Sequence, residues 1–154
     1  MSDRRLSPDE YFLQLLKLVS SRSTCVRRSV GAIITDERRR VLAMGYNGVP
    51  QKFPHCELFS LCPGAEDPSG DTRRCMAVHA EVNAILQCSR LDLARTIYVS
   101  CSPCFACAKM LCNTAIRRVV CLEPYADEGA EVLKSAGIRI VIADQLKEDE
   151  ANGL

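Results

Sequence analysis

One histidine and two cysteines restrict what this chain can fold into more than any other feature. His79 is followed by Ala80 and Glu81, and Pro103 is followed by Cys104, Phe105, Ala106 and Cys107. An imidazole and two thiolates suit a borderline-soft ion such as zinc. Three protein ligands leave a tetrahedral ion one open position, and a catalytic zinc needs that position for water. Glu81 stands beside the first ligand and is not needed as a fourth. It can instead move protons between water and a substrate. The alternative for the same residues is a closed structural zinc with a fourth ligand elsewhere, or buried cysteines beside an unrelated histidine.

Both halves of the motif open on a helix. Val82, Ile85 and Leu86 fall on one face of a helix predicted over 79–89. Residues 96–99 form a short β-rich run and read as a strand. A second helix is predicted over 104–114, with Ser102 as its N-cap and Pro103 in its first turn. Cys104 and Cys107 are then three apart on that helix, so their sulfurs can face the same way. The helix start favours both thiolates.

The rest of the chain supplies a frame. Ser7, Pro8 and Glu10 read as a capped helix start, and Tyr11, Leu15, Leu18 and Val19 recur at helical spacing toward Arg22. Strands are predicted over 30–35 and 41–46, joined as a hairpin by a charged turn over 36–40. Asn47-Gly48 re-aims the chain. Further on come a strand over 118–122, a helix over 127–136 ended by Gly137, and a strand over 138–142. The polar tail over 144–154 is expected to fray. Strands alternate with helices from His79 onward, which predicts a single α/β domain over 1–154. Its form is a three-layer α/β/α sandwich on a mixed five-stranded sheet.

Residues 48–77 show little periodicity, and a connection of that length in a compact domain needs a reason. It carries His55, Cys56, Cys62 and Cys75. A structural zinc closed by four protein ligands would pin it, and the proposed set is Cys25, Cys56, Cys62 and Cys75. His55 competes for a ligand position. The alternative is a mobile loop with incidental thiols.

Composition narrows the function. A net charge of +1 argues against a partner that is long nucleic acid. No apolar run approaches a membrane span, and the charged N-terminus does not read as a signal peptide. Ten cysteines without a secretion signal fit metal-bound and buried thiols in a reducing, cytoplasmic compartment better than a disulfide scaffold. Cys88, Cys101, Cys112 and Cys121 lie within or beside the periodic elements and read as small apolar fillers.

The His-x-Glu and Pro-Cys-x-x-Cys pair marks the zinc-dependent deaminases of cytosine and adenine. Beyond it, the chain carries Arg22-Ser23-Thr24-Cys25, Val30-Gly31-Ala32-Ile33-Ile34, Gly45-Tyr46-Asn47-Gly48, His55-Cys56 and Glu81-Val82-Asn83-Ala84-Ile85. With these it resembles the deoxycytidylate (dCMP) deaminases, in their bacterial and phage branch, over nearly its whole length. That branch includes the late-competence deaminase-like proteins. The resemblance implies a cytidine deaminase-like fold and hydrolysis of dCMP to dUMP and ammonia. It implies zinc on His79, Cys104 and Cys107, with Glu81 as the proton carrier. It places Asn47 at the nucleotide sugar, Ala80 at the wall against the ring, and Tyr125 near the base or phosphate. It supports a second zinc in the loop and implies a homo-oligomer, often a hexamer. Activation by dCTP with magnesium and inhibition by dTTP come with it. A nucleotide substrate also needs a phosphate contact. Ser23, Arg27 and Arg28, in the loop before the first strand, are the candidates, arginine forks being suited to phosphate oxygens. The two arginines could equally be solvated or face another subunit. The competing functions are a deaminase of another cytosine or adenine nucleoside or nucleotide, and a zinc-stabilised, competence-type interaction protein.

Overall fold

A computed structural model describes residues 4–58, 62, 64, 75–125 and 128–146. Helix α1 runs Pro8–Ser20 and starts as its sequence predicts. The Glu10 N–H donates to the Ser7 hydroxyl at 3.3 Å, and the Ser7 N–H donates to the Glu10 carboxylate at 2.6 Å. Its buried face matches the expected one only in part, Val19 being buried and Leu15 packing half-buried against the core. Tyr11 and Leu18 are 53% and 68% exposed, while Phe12, Leu13, Leu16 and Val19 are buried. Two overlapping stripes both obey helical spacing, and the sheet takes the one on which Phe12 stacks against Tyr98.

Strands β1 (Gly31–Thr35) and β2 (Val41–Tyr46) form the predicted antiparallel hairpin. β1 also pairs antiparallel with β3 (Thr96–Cys101). β4 (Arg118–Glu123) and β5 (Arg139–Ile142) then add in parallel, giving the order β2-β1-β3-β4-β5. The sheet is therefore mixed and five-stranded, as expected. Successive residues on each strand feed opposite cores. Ile33, Tyr98 and Val120 pack with α1. Ile34, Ile97, Val99 and Val119 pack with three helices on the other face, α2 (Ala80–Gln87), α3 (Phe105–Cys112) and α4 (Gly129–Ser135). Burial of each such large apolar side chain contributes about 2 kcal/mol. Cys121 is buried in that core and Cys88, Cys101 and Cys112 pack half-buried against it, as fillers do.

Three helices are shorter than their patterns suggest, and α2 buries Ala80, Glu81 and Ala84 while Leu86 is 75% exposed. The inward face of α2 follows from its close packing on β2. A Cβ at Gly45 would lie 2.5 Å from the Ala80 carbonyl oxygen and 3.0 Å from the Ala84 Cα. Only small residues fit such an approach, so the alanine face goes inward. Gly137 ends α4 at φ +73°, as predicted. The expected start of that helix, Asp127, lies outside the described residues, as do 59–61, 63, 65–74 and 147–154 of the long loop and the tail. The loop is closed at its base, where Gly48 and Val78 exchange backbone hydrogen bonds of 3.1 and 2.8 Å. That bridge delivers the chain directly to His79.

Candidate active site

The starts of α2 and α3 meet at the carboxyl end of β3. His79 is the N-cap of α2, in extended conformation, and its side chain makes no cap hydrogen bond. Cys104, not Ser102, is the N-cap of α3. The Ser102 hydroxyl is used instead by the Tyr125 N–H at 2.6 Å, a partner brought in from beyond β4. Cys107 lies on the first turn of α3 and is buried.

The His79 Nδ1 is 3.5 Å from the Cys104 Sγ and 3.4 Å from the Cys107 Sγ. All three ligand atoms lie within 4.8 Å of one another. A tetrahedral ion with ordinary zinc–nitrogen and zinc–sulfur bonds has a nitrogen–sulfur edge of about 3.6 Å. The donor set and its spacing therefore fit zinc. Hydrogen bonds from Cys107 and His79 pull the Cys104 thiol down to about 3. Its hydrogen bond to Cys104, then burial and the Glu81 charge, push the Cys107 thiol up. The same Cys104 sulfur raises the pKa of His79. Zinc binding needs both sulfurs as thiolates and the imidazole neutral, so a divalent cation here would displace the protons that these three groups share.

Glu81 sits on the first turn of α2 and is 4% exposed. Burial raises its pKa, against the pull of its backbone hydrogen bond and of His79. A buried carboxyl group beside the ligand set is placed to carry protons between water and a substrate.

Asn47 is buried, and its side chain staples the loop ahead of β1. Its Oδ1 accepts from the Ser23 hydroxyl at 2.6 Å and the Val30 N–H at 2.9 Å, and its Nδ2 donates to the Arg28 carbonyl at 2.8 Å. The Asn83 Nδ2 donates to the Tyr46 carbonyl at 2.8 Å and ties the Gly-Tyr-Asn-Gly turn to α2. Arg28 lies over the Tyr125 ring, 5.0 Å from its centroid, with Glu123 at 4.0 Å. Arg27 turns the other way and donates to the Gly64 carbonyl at 3.0 Å. Ala80 is wholly buried in the core under α2. Sequence reasoning missed the stapling role of Asn47 and the anchor that Ser102 gives Tyr125, since both need partners far away in the chain.

The four loop cysteines behave differently from the triad. Burial first, and then the charges of Cys25, Cys62 and Cys75, raise the pKa of Cys56, which places the four in one neighbourhood. Among the described residues, though, only His79, Cys104 and Cys107 bring three ligand atoms within 4.8 Å of one another.

Residues 6–123 match the family described as the cytidine and deoxycytidylate deaminase zinc-binding region. The deoxycytidylate deaminase of Mycobacterium phage D29 is 43% identical over 118 residues, which cover 73% of this chain and 91% of that protein. The deoxycytidylate deaminase of Saccharomyces cerevisiae is 39% identical over 143 residues, covering 88% of this chain but 45% of that larger protein. The structure of dCMP deaminase from the cyanophage S-TIM5, in complex with dCMP and dUMP, superimposes with a TM-score of 0.70 at 28% identity. That match covers 88% of this chain and 98% of the phage chain. With zinc-ligand geometry, fold and sequence in agreement, the chain belongs to the deoxycytidylate deaminase family, in its phage and bacterial branch.

Proposed function

We propose that the protein hydrolyses dCMP to dUMP and ammonia. One observation carries this reading: three ligand atoms within 4.8 Å of one another, with the buried Glu81 two residues beyond the first of them. A zinc ion held by His79, Cys104 and Cys107 supplies Lewis acidity that brings the pKa of water toward neutrality. Glu81 takes a proton from the attacking water and gives it to N3 of the cytosine ring. The water oxygen bonds to C4. Glu81 then hands the second water proton to the C4 amino group, which leaves as ammonia. Asn47, with Ser23, Arg28 and Tyr125, forms the side that receives sugar, base and phosphate. Arg28 is the better phosphate candidate of the two arginines, because it lies over the Tyr125 ring that forms part of this side, whereas Arg27 donates to the Gly64 carbonyl.

The proposal extends to a second, structural zinc on Cys25, Cys56, Cys62 and Cys75, supported by the influence of Cys25, Cys62 and Cys75 on the Cys56 thiol. It extends to a homohexamer activated by dCTP with magnesium and inhibited by dTTP, supported by the family resemblance alone. Cytoplasmic residence is supported by ten free cysteines. Among the described residues no helix is long and apolar enough to cross a membrane.

The test is ammonia release from zinc-loaded protein on dCMP, deoxycytidine, CMP and dAMP, each with and without dCTP and magnesium. Rapid turnover of dCMP alone supports the reading. Equal turnover of deoxycytidine would remove Arg28 from the site. No release from any substrate would favour a zinc-stabilised interaction protein.

A further inference from the structure

The chain leaving β4 wraps the turn that carries Cys104. The Ser102 N–H donates to the Glu123 carbonyl at 2.9 Å, and the Ser102 hydroxyl accepts from the Tyr125 N–H at 2.6 Å. Ser102 is 4% exposed, so water does not compete for either bond. Helix α4 then begins at Gly129, which is buried. A Cβ at Gly129 would overlap the Pro103 carbonyl oxygen and lie 2.8 Å from the carbonyl carbon of Cys104. It would also lie 3.0 Å from the Cys104 carbonyl oxygen. These are backbone atoms and cannot swing aside as the end of a flexible side chain would. Glycine is required here for space rather than for a left-handed φ. Glu123, Tyr125 and Gly129 thus between them touch each of the three residues 102, 103 and 104. Cys104 has no side-chain cap bond, and its sulfur contacts are with the other two ligands, His79 and Cys107, so a shift of the Pro103–Cys104 peptide moves its sulfur relative to them.

We propose that Gly129 and Ser102 are positioning residues of the metal centre: α4, resting on the bare Gly129, sets the Cys104 sulfur, and the Ser102 hydroxyl ties the same turn to Tyr125. Ligand geometry and the Tyr125 wall are then set by one piece of chain. The inference rests on the triad being the zinc site. Groups that orient metal ligands typically change affinity by about 10–100-fold when altered.

The experiment uses the full chain loaded with Co²⁺, whose thiolate and ligand-field absorption bands report ligand geometry, together with metal release to a chelator. Gly129→Ala is expected to shift the bands and to release metal about tenfold faster, with unchanged far-UV circular dichroism. Leu133→Ala, a fully buried deletion on the same helix, controls for general loosening. Unchanged bands and release in Gly129→Ala overturn the proposal, as does an equal change in Leu133→Ala. Ser102→Ala provides a second arm that holds even where Gly129→Ala does not fold. It is expected to raise KM for dCMP about fivefold, with a smaller change in kcat, and Ser102→Thr is expected to restore it. An unchanged KM in Ser102→Ala overturns the proposal too. A wild-type protein without thiolate–cobalt bands would instead defeat the zinc reading, and wild-type metal binding without turnover of dCMP would defeat the substrate reading alone.

Discussion

His79, Cys104 and Cys107 sit at the starts of two helices whose inner faces are buried against the sheet, whereas Cys25, Cys62 and Cys75 lie outside any helix or strand and Cys56 opens only a single 3-10 turn, Cys56–Leu58. The first group holds its ligand atoms at metal-binding distance through packing. The second group is gathered but not closed to that distance. A catalytic site must keep its geometry while substrate comes and goes, so it is built on rigid elements. A structural site can let the metal complete the fold, because binding energy and folding energy are then the same quantity. The contrast predicts that damage to the first group shows in turnover and damage to the second in stability.

The largest effect should come from a catalytic ligand. Cys107→Ala should abolish metal binding at the triad and lower kcat/KM for dCMP by more than about a thousandfold, read by metal analysis and ammonia release. Retention of turnover would break the comparison at once. Cys56→Ser should leave the triad metal in place, halve the total zinc and lower the melting temperature by about 10 °C, read by calorimetry with metal analysis. A variant with full metal content and an unmoved melting curve would show that the loop thiols hold nothing.

Smaller effects test the frame. Gly45→Ala should cost about 2 kcal/mol in urea unfolding, since the added methyl must push α2 off β2. It should also loosen the triad, because His79 caps α2. Far from both cysteine groups, Asp9 accepts two hydrogen bonds from Arg118, at 2.8 and 2.6 Å, and one from Tyr98 at 2.7 Å. Burial alone would raise its pKa, but these partners outweigh it and the net direction is down. A depressed carboxylate contributes stability that is present above its unfolded pKa near 4 and lost as pH falls through the folded value. Asp9→Asn should therefore cost about 1 kcal/mol at neutral pH and flatten the decline of stability below pH 4. The triad and its turnover at neutral pH should be unaffected.

Local signals made much of this legible in advance. The Ser7–Glu10 box, the hairpin and the spacing of the two cysteines are short-range and were realised in place. What the chain hid depends on long-range partners. Ser102 looks like a cap because it precedes a helix, yet the Tyr125 N–H, 23 residues away, claims its hydroxyl. Tyr11 and Phe12 lie on rival stripes of α1, and only the position of Tyr98 on β3 decides between them. Gly129 carries no local signal, since its need for space exists only once α4 lies on the Cys104 turn. The four loop cysteines have irregular spacing, so proximity rather than pattern is what relates them.

The most direct test of the account is Glu81→Gln, assayed for zinc content and for ammonia release from dCMP. The substitution keeps size and hydrogen bonding but removes the proton carrier. The account predicts wild-type zinc on the triad and turnover reduced by about 10³-fold or more. Zinc retained with near-normal turnover would contradict it, because the proton transfers would then belong to another group.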